Sequence, residues 1–284
     1  MKPATFDYVR AESVDQVLVL LERHAGSAKV LAGGQSLNPT LNMRLSAPDL
    51  LIDINDLDVL KGIRVDGDML RIGALVRHAE IEQSELVATH APLLKKAIGH
   101  VAHAAIRNRG TIGGNVSLAD PASELPACCV ALDASITIQN KQGTRAVRAR
   151  DYFRDLYETD LQENDLMTSI SFPVAGETTV CAFREFVRRK GDFASTGLAV
   201  SAELEDGVFT SFSPVFFAVA NTPVLAAGVA QRLVDVALTK ERIEQAIAAV
   251  DDDVDITGDA YMGTEMKRHL AKHYLREVIE ELYG

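Results

Sequence analysis

The sequence is short of basic residues and of cysteine. Lys and Arg total 29 against 40 Asp and Glu, which gives a formal net charge of −11 at pH 7. Because affinity for a phosphate backbone depends on a surplus of basic residues, this balance excludes a general nucleic-acid binder. The three cysteines, Cys128, Cys129 and Cys181, form no CxxC pair. We therefore expect no zinc or iron–sulfur site and no other metal on this chain, and we expect the cysteines to be small buried apolar residues.

Long hydrophobic runs are also missing. No run approaches the ~18 apolar residues of a membrane-spanning helix, so no membrane span is expected. The first fifteen residues, MKPATFDYVRAESVD, lack the apolar core of a signal peptide, and this favours a cytoplasmic location. Hydrophobic residues nevertheless make up 47% of the 284 residues, enough to bury the core of two ordinary domains or one large one.

Hydrophobic periodicity predicts a mixed helix and sheet protein with a boundary near residue 175. The first 55 residues are typical of a βαβ unit, with a Ser13/Gln16 capping box before a helix that extends to His24. Residues 56–175 predict a second α/β unit, in which the Gly-, Asn- and Ser-rich segment 106–126 is expected to be a long functional loop. From residue 176 to 284, predicted strands precede predicted helices, which indicates an α+β domain. The predicted strands there are 181–187, 198–204, 208–211 and 215–219, and the predicted helices are 232–238, 241–250 and 261–283.

Two glycine pairs are the first candidates for a binding site. Gly33-Gly34 directly follows a predicted strand, and Gly113-Gly114 lies in the long polar segment. Paired glycines allow backbone N–H groups to converge on an anion, so two such loops could hold the two phosphates of a dinucleotide. A tight turn is the alternative interpretation of each pair. Neither loop has the GxGxxG or GxxxxGK[ST] pattern, so a Rossmann or P-loop site is not indicated.

These motifs carry a family resemblance that spans essentially the whole chain. AGGQS at 32–36, RNRGTIGGNVSLADPASELPA at 107–127, ENDLMTSISFP at 163–173 and FREFVRRKGDFASTGLAV at 183–200 occur in this order. The chain resembles the FAD-binding medium subunit of molybdenum hydroxylases, the family of xanthine dehydrogenase and aerobic carbon monoxide dehydrogenase. The resemblance implies an α+β fold. It comprises a FAD-binding domain (1–175) of the vanillyl-alcohol oxidase or PCMH type, with two α/β subdomains (about 1–55 and 56–175). A smaller C-terminal domain (176–284) with an antiparallel sheet and helices would follow.

The resemblance also implies which residues bind FAD. Residues of the two glycine motifs would hold the pyrophosphate and the adjoining ribityl chain: Ala32, Gly33, Gly34, Gln35, Ser36, Leu37, Thr111, Ile112, Gly113, Gly114 and Asn115. The polar run that follows adds Ser117, Asp120 and Glu124, and an ionised Glu124 would accept hydrogen bonds from hydroxyl groups. Its alternative role is that of a carboxylate in the first turn of a helix.

Four further residues are expected at the flavin ring. Asp165 and Leu166 match the family's strand that passes the flavin, and Leu166 would pack on a ring. Lys190 would stabilise the reduced flavin, with a solvated surface lysine as the alternative. Phe193 would lie against the flavin face, with an ordinary core residue as the alternative. Gln35 stands where some relatives have His, and Gln cannot form a covalent tether, so we predict noncovalent FAD.

The implied function is electron transfer within a larger enzyme. Molybdopterin and the [2Fe–2S] clusters would lie on a large and a small partner subunit, in a dimer of heterotrimers. This chain would pass their electrons to an external acceptor and would carry no catalytic residue of its own. One alternative is a stand-alone flavin oxidoreductase, for which His100, His103 and Glu124 are the candidate acids or bases. A second is a non-catalytic nucleotide-binding subunit of an assembly. The sequence predicts no substrate, because substrate specificity would belong to another polypeptide.

Overall fold

The computed structural model describes residues 2–283, which form three larger sheets and a short hairpin surrounded by helices. The strands are β1 Asp7–Arg10, β2 Ala28–Leu31, β3 Leu50–Asp53, β4 Ile63–Asp66, β5 Met69–Gly73, β6 Ser135–Asn140, β7 Gly143–Arg148, β8 Phe153–Asp155, β9 Glu158–Thr159, β10 Leu166–Pro173, β11 Thr179–Phe186, β12 Thr196–Glu205, β13 Val208–Phe217 and β14 Val224–Leu225. The helices are α1 Val14–Arg23, α2 Leu37–Asn42, α3 His78–Gln83, α4 Glu85–His90, α5 Pro92–Ile98, α6 Ala104–Arg107, α7 Ile112–Leu118, α8 Glu124–Ala131, α9 Ala149–Tyr152, α10 Ala227–Leu233, α11 Lys240–Ala248, α12 Val250–Asp253 and α13 Thr264–Tyr283. The mixed helix and sheet architecture is confirmed.

The first unit is a three-stranded parallel sheet in the order β1-β3-β2. Helix α1 connects β1 to β2, as predicted, and buries Val17, Leu18 and Leu21 against this sheet. The Ser13 hydroxyl accepts the Gln16 N–H at 3.2 Å, which satisfies one of the otherwise unpaired donors of the first turn. The Gln16 side chain accepts the N–H of Glu12 at 2.7 Å rather than that of Ser13, so the predicted capping box closes one residue earlier.

The second unit is a five-stranded sheet in the order β4-β5-β10-β6-β7, and every neighbouring pair in it is antiparallel. Two tight hairpins, β4–β5 and β6–β7, account for this pairing, because a short connection cannot join parallel strands. The sequence pattern did not predict β4 and β7. Both are edge strands whose residues are mostly exposed, so they lack the apolar alternation that marks a strand.

The predicted long loop at 106–126 is wrong, because the segment contains α7 and the start of α8. Thr111 is the N-cap of α7, and its hydroxyl accepts the N–H of Gly114 at 3.1 Å. Ile112 and Val116, one helical turn apart, are completely buried. Tertiary packing of these two residues therefore stabilises a helix that its Gly and Asn content disfavours.

The C-terminal unit is a four-stranded antiparallel sheet in the order β11-β12-β13-β14. The two strands predicted at 208–211 and 215–219 are one continuous strand, β13, and the helix predicted at 232–238 begins earlier, as α10. One face of this sheet packs on α13, and the other packs on α5 and α8. As predicted, the three cysteines are buried; they are free thiols in the core between this sheet and the helices α5 and α8: Cys128, Cys129 and Cys181. Within residues 2–283, no helix is both long enough and apolar enough to cross a bilayer.

Candidate functional site

The two glycine pairs, 80 residues apart in sequence, meet in space. A Cβ at Gly33 would collide with the carbonyl oxygen of Arg109 and would lie 2.9 Å from the Cα of Gly110. A Cβ at Gly113 would lie 2.6 Å from the carbonyl oxygen of Ala74. Gly33 and Gly113 are therefore required by close backbone packing within the protein itself. Gly34 serves a different purpose, since its φ of +71° allows the chain to turn after β2.

A polar bracket, formed by Asn55 and Arg77, holds the two glycine loops together. The Asn55 side-chain amide donates to the carbonyl oxygen of Ala32 at 2.8 Å. Arg77 donates to the Asn55 side-chain oxygen at 2.6 Å and also to the carbonyl oxygen of Arg109. This bracket was not predicted, because neither residue belongs to a recognisable motif and the bracket forms only in the folded chain.

The two loops differ in the backbone donors that they offer. The N–H groups of residues 112–115 are all used within the protein, by the carbonyls of Val76, Ala74 and Thr111 and by the Thr111 hydroxyl. The N–H groups of residues 34–37, by contrast, donate no hydrogen bond to any other part of the chain within residues 2–283. The hypothesis that both loops present backbone donors to an anion therefore narrows to the first loop.

Side chains of both loops also differ in their availability. Gln35 turns back on its own loop, where its amide donates to the carbonyl oxygen of Gly33 at 3.0 Å. Asn115 donates to the Ser123 hydroxyl at 3.2 Å, whereas its side-chain oxygen is buried without a partner. A buried acceptor without a donor is costly, so the Asn115 oxygen is a position where a ligand hydroxyl or N–H fits.

Asp165 has a structural role in this arrangement. Its carboxylate accepts hydrogen bonds from Asn140 at 2.9 Å, from Arg145 at 2.6 Å and from the N–H of Gln162 at 3.0 Å. Both oxygens of this carboxylate are therefore engaged within the protein. Leu166, the next residue, is buried in the core of the first unit.

Ser117 and Asp120 also direct their side chains to protein partners. The Ser117 hydroxyl lies 3.8 Å from the sulfur of Met167 on β10. Asp120 accepts the N–H of Ala122 at 2.9 Å and the hydroxyl of Tyr157 at 3.2 Å. Ser117 therefore holds α7 against β10, and Asp120 supports the turn between α7 and α8.

Glu124 lies in the first turn of α8, directly after the Ser123 that Asn115 contacts, and its residue is only 6% exposed. Burial raises its pKa to about 8, and the charges of Glu185 and Asp120 add to the increase. This raised pKa differs from the expectation of an ionised Glu124. At neutral pH, and without a ligand, its carboxyl group is predominantly protonated and can donate a hydrogen bond.

Glu185, whose side chain is buried, was not predicted as a site residue. Its Oε1 lies 2.9 Å from Nδ1 of His100, its side chain is 4% exposed, and its Oε2 is buried without a partner. Residues 181, 183 and 185 of β11 alternate onto one face of the strand, and the first two of these residues are buried. A charged residue continuing this apolar alternation was the available signal.

The segment 187–195 carries Lys190 and Phe193 on the surface. Lys190 is exposed, and Phe193 is 71% exposed, so the alternative of a core phenylalanine is wrong. Gly191, with φ +86°, lies against the ring of His103 so closely that no Cβ fits between them. His103 is the N-cap residue of α6, which leads directly to the second glycine loop. The segment is thereby positioned beside that loop.

His78 packs against Gly110, which directly precedes the second glycine loop. Its backbone N–H donates to the carbonyl oxygen of Gly110 at 3.0 Å, and its ring leaves only 3.0 Å for a Cβ on Gly110. Both ring nitrogens are buried without a partner, and burial lowers the pKa of His78 to about 4. His78 is therefore a neutral packing residue at neutral pH.

Comparison with known proteins identifies the family. Residues 4–175 match the model of the FAD binding domain in molybdopterin dehydrogenase, and residues 181–282 match the CO dehydrogenase flavoprotein C-terminal domain. The chain belongs to this flavoprotein family. FAD is its cofactor, and the protein is the flavin-binding part of an oxidoreductase.

Related proteins align with the flavoprotein over nearly its whole length. Caffeine dehydrogenase subunit beta from Pseudomonas sp. (strain CBB1) is 36% identical over 95% of this chain and 92% of the relative. Carbon monoxide dehydrogenase medium chain from Hydrogenophaga pseudoflava is 34% identical over 97% of both chains. The structure of quinoline 2-oxidoreductase from Pseudomonas putida 86 matches with a TM-score of 0.93 at 30% identity, covering 100% of this chain and 98% of that chain. Relatives of this flavoprotein are thus medium-sized FAD subunits of multi-subunit molybdenum hydroxylases.

The described residues fit FAD. The free N–H groups of residues 34–37 suit a pyrophosphate, and the unpartnered oxygens of Asn115 and Glu185 require donors that a flavin nucleotide has. Lys190 and Phe193, on the adjoining surface segment, supply a cation and an aromatic face.

Proposed function

We propose that this flavoprotein binds FAD noncovalently and passes electrons from the [2Fe–2S] clusters of a partner chain to an external acceptor. It would act as one subunit of a heteromeric molybdenum hydroxylase. The observation that carries the proposal is the meeting of the two glycine loops, with unused backbone donors on the first. The family match on both sides of the proposed boundary near residue 175 supports it.

In this proposal the two glycine loops have separate tasks. Residues 32–37 hold the pyrophosphate through their backbone N–H groups, and residues 111–114 form the surface on which that loop packs. Asn115 accepts a hydrogen bond from the ribityl or ribose hydroxyls through its free oxygen, and protonated Glu124 donates one. Ser117, Asp120 and Asp165 position these elements without touching the cofactor.

The isoalloxazine ring is assigned to Lys190 and Phe193, because Leu166 is buried in the core of the first unit. FAD supplies the redox chemistry, since it takes up two electrons and can release them singly or together. The Lys190 cation stabilises the reduced ring electrostatically, and Phe193 covers one of its faces. Because Phe193 is exposed in the chain alone, either the cofactor or a partner is expected to cover it.

The partners in this proposal are a large molybdopterin subunit and a small iron–sulfur subunit, assembled as a dimer of heterotrimers. The three thiols of the chain are buried in the core, so they are unsuited to hold a cluster. The relatives' descriptions as subunit beta and medium chain support the partnership. A cytoplasmic location stays a prediction.

One observation favours the alternative of a stand-alone flavin oxidoreductase. The pKa of Glu124, about 8, is in the range that a general acid or base uses near neutral pH. His100, also a candidate for that role, lies 2.9 Å from Glu185, and the ring of His103 packs against Gly191.

Purification with and without the partner subunits tests the proposal. The chain alone should contain one FAD per molecule and no molybdenum or iron. The co-expressed assembly should contain all three cofactors and should oxidise a substrate. A colourless chain, in which added FAD neither binds nor raises the unfolding temperature, would contradict the cofactor assignment. Substrate oxidation by the isolated chain would favour the stand-alone enzyme.

A further inference from the structure

Glu185 carries a buried carboxylate oxygen that no group within the described residues satisfies. Its side chain is 4% exposed, and its Oε2 has no hydrogen-bond partner. A buried carboxylate oxygen without a donor is destabilising by the full cost of its desolvation. Such groups persist in native proteins when a ligand, ion or water supplies the missing donor.

His100 fixes one oxygen of this carboxylate and thereby aims the other. The Nδ1 of His100 lies 2.9 Å from Oε1, and the His100 ring packs on Phe183 with 5.0 Å between the ring centroids. The His100 side chain is 44% exposed, so it reaches solvent while Glu185 does not. The histidine therefore anchors the carboxylate from the surface side and leaves Oε2 on the buried side.

The surroundings of Glu185 connect it to the FAD-binding elements. Glu185 lies, with Cys181 and Phe183, on the face of the C-terminal sheet that α5 and α8 cover. Its charge contributes to the raised pKa of Glu124 in the first turn of α8. Immediately after β11, the chain continues into the segment that carries Lys190 and Phe193. The position of Glu185 thus adjoins both the helix assigned to the ribityl chain and the segment assigned to the ring.

The other charged and titratable groups near this position leave Oε2 without a donor. Lys96 of α5 forms an ion pair with Glu281 of α13. Arg184 of β11 forms ion pairs with Glu277 and Glu281 of the same helix. The charge of Glu185 contributes to the raised pKa of Tyr274 on α13, but the Tyr274 hydroxyl does not donate to Oε2. Among residues 2–283, no side chain or backbone N–H donates to Oε2.

We propose that Glu185, positioned by His100, is a cofactor-binding residue that accepts a hydrogen bond from the bound flavin. The inference rests on the proposed FAD site. A carboxylate can only accept, and the flavin offers two kinds of donor: the N3–H of the isoalloxazine ring and the hydroxyls of the ribityl chain. A negative charge at this place also disfavours the electron-rich reduced flavin, so it opposes the effect of Lys190.

The test compares Glu185→Gln with Glu203→Gln in the FAD-loaded chain. Glu203 lies on β12 of the same sheet and bonds Thr178 and Thr179, both at 2.7 Å, so the control removes the same charge without touching the site. Glu185→Gln should raise the affinity for reduced relative to oxidised flavin about tenfold, which raises the two-electron potential by about 30 mV. Glu203→Gln should leave the potential at the wild-type value.

One further measurement does not depend on the folding of Glu185→Gln. His100→Phe should shift the potential away from the wild-type value, because the carboxylate loses the partner that fixes its position relative to the flavin. N3-methyl-FAD, bound to wild type and to Glu185→Gln, distinguishes the donors. If the ring N3–H donates to Glu185, methylation should weaken binding to wild type more than binding to the variant. If a ribityl hydroxyl donates, methylation should change both Kd values by the same factor.

The inference is overturned if Glu185→Gln binds FAD with wild-type affinity and its potential equals that of Glu203→Gln. If Glu185→Gln does not fold, an unshifted potential in His100→Phe overturns it equally. Failure of the proposed function gives a different result, since the wild-type chain itself would then bind no FAD.

Discussion

Replacing Glu124 by Gln should change how the stability of the protein depends on pH. Gln keeps the size and the neutral hydrogen-bonding character of the protonated carboxyl but cannot ionise. In the folded chain the pKa of Glu124 is about 8, against 4.5 in an exposed chain. This difference corresponds to about 5 kcal/mol in favour of the neutral form.

Proton linkage gives the direction in which the free energy of unfolding changes with pH. Between pH 4.5 and 8 the folded protein binds the Glu124 proton more tightly than the unfolded chain does, so the free energy of unfolding falls as pH rises. The stabilisation is complete below pH 4.5 and is lost as pH approaches 8. Glu124→Gln removes this loss. Relative to wild type, the variant should therefore gain about 4 kcal/mol of stability between pH 5 and pH 8.

Urea unfolding of the FAD-free protein at pH 5, 6, 7 and 8 measures this difference, with Glu177→Gln as an exposed control. The free energies of Glu124→Gln and wild type should diverge steadily with pH, whereas Glu177→Gln should follow wild type. Parallel profiles for all three proteins would refute the argument that Glu124 is buried and protonated.

The remaining predictions concern the glycine loops, the flavin and acid stability. The burial of His78 should cost wild type about 3 kcal/mol of stability as pH falls from 6.5 to 4. His78→Gln should abolish this dependence in the same unfolding assay extended to pH 4. Gly114→Val should fold, because Gly114 is exposed, but it should lose most of its FAD absorbance. Gly33→Val should fail to fold, because its Cβ would collide with the backbone of Arg109 and Gly110. Stoichiometric FAD in both would contradict the two-loop site. Lys190→Ala should lower the flavin potential by less than about 30 mV, since this exposed charge is screened, and an unchanged potential would make Lys190 a surface residue. Trichloroacetic acid should release all flavin into the supernatant, and a fluorescent pellet would disprove noncovalent binding.

Much of the fold could be predicted because local signals agreed with tertiary structure. Helix α1 has a capping residue and an apolar face at helical spacing, and β2, β3 and β10 are apolar runs. Where one signal was missing, the prediction failed. The edge strands β4 and β7 bury few residues, and α7 is held by the packing of Ile112 and Val116 despite its glycines.

The candidate site was predictable only in part, since motifs identify segments rather than contacts. The sequence indicated both glycine pairs, but their meeting at Gly33 and Arg109 depends on the packing of the two N-terminal units. Asp165 belongs to a predicted motif, yet its carboxylate is bound by Arg145. Glu185 belongs to the motif at 183–200, and only the fold shows that its Oε2 has no hydrogen-bond partner.

The source of the electrons tests the central claim most directly. The isolated chain, loaded with FAD and free of molybdenum and iron, should be bleached by dithionite and reoxidised by oxygen or a tetrazolium dye. Carbon monoxide, purines and N-heterocycles should leave its flavin spectrum unchanged until the molybdenum and iron–sulfur chains are added. Bleaching by any of these substrates in the isolated, metal-free chain would contradict the account.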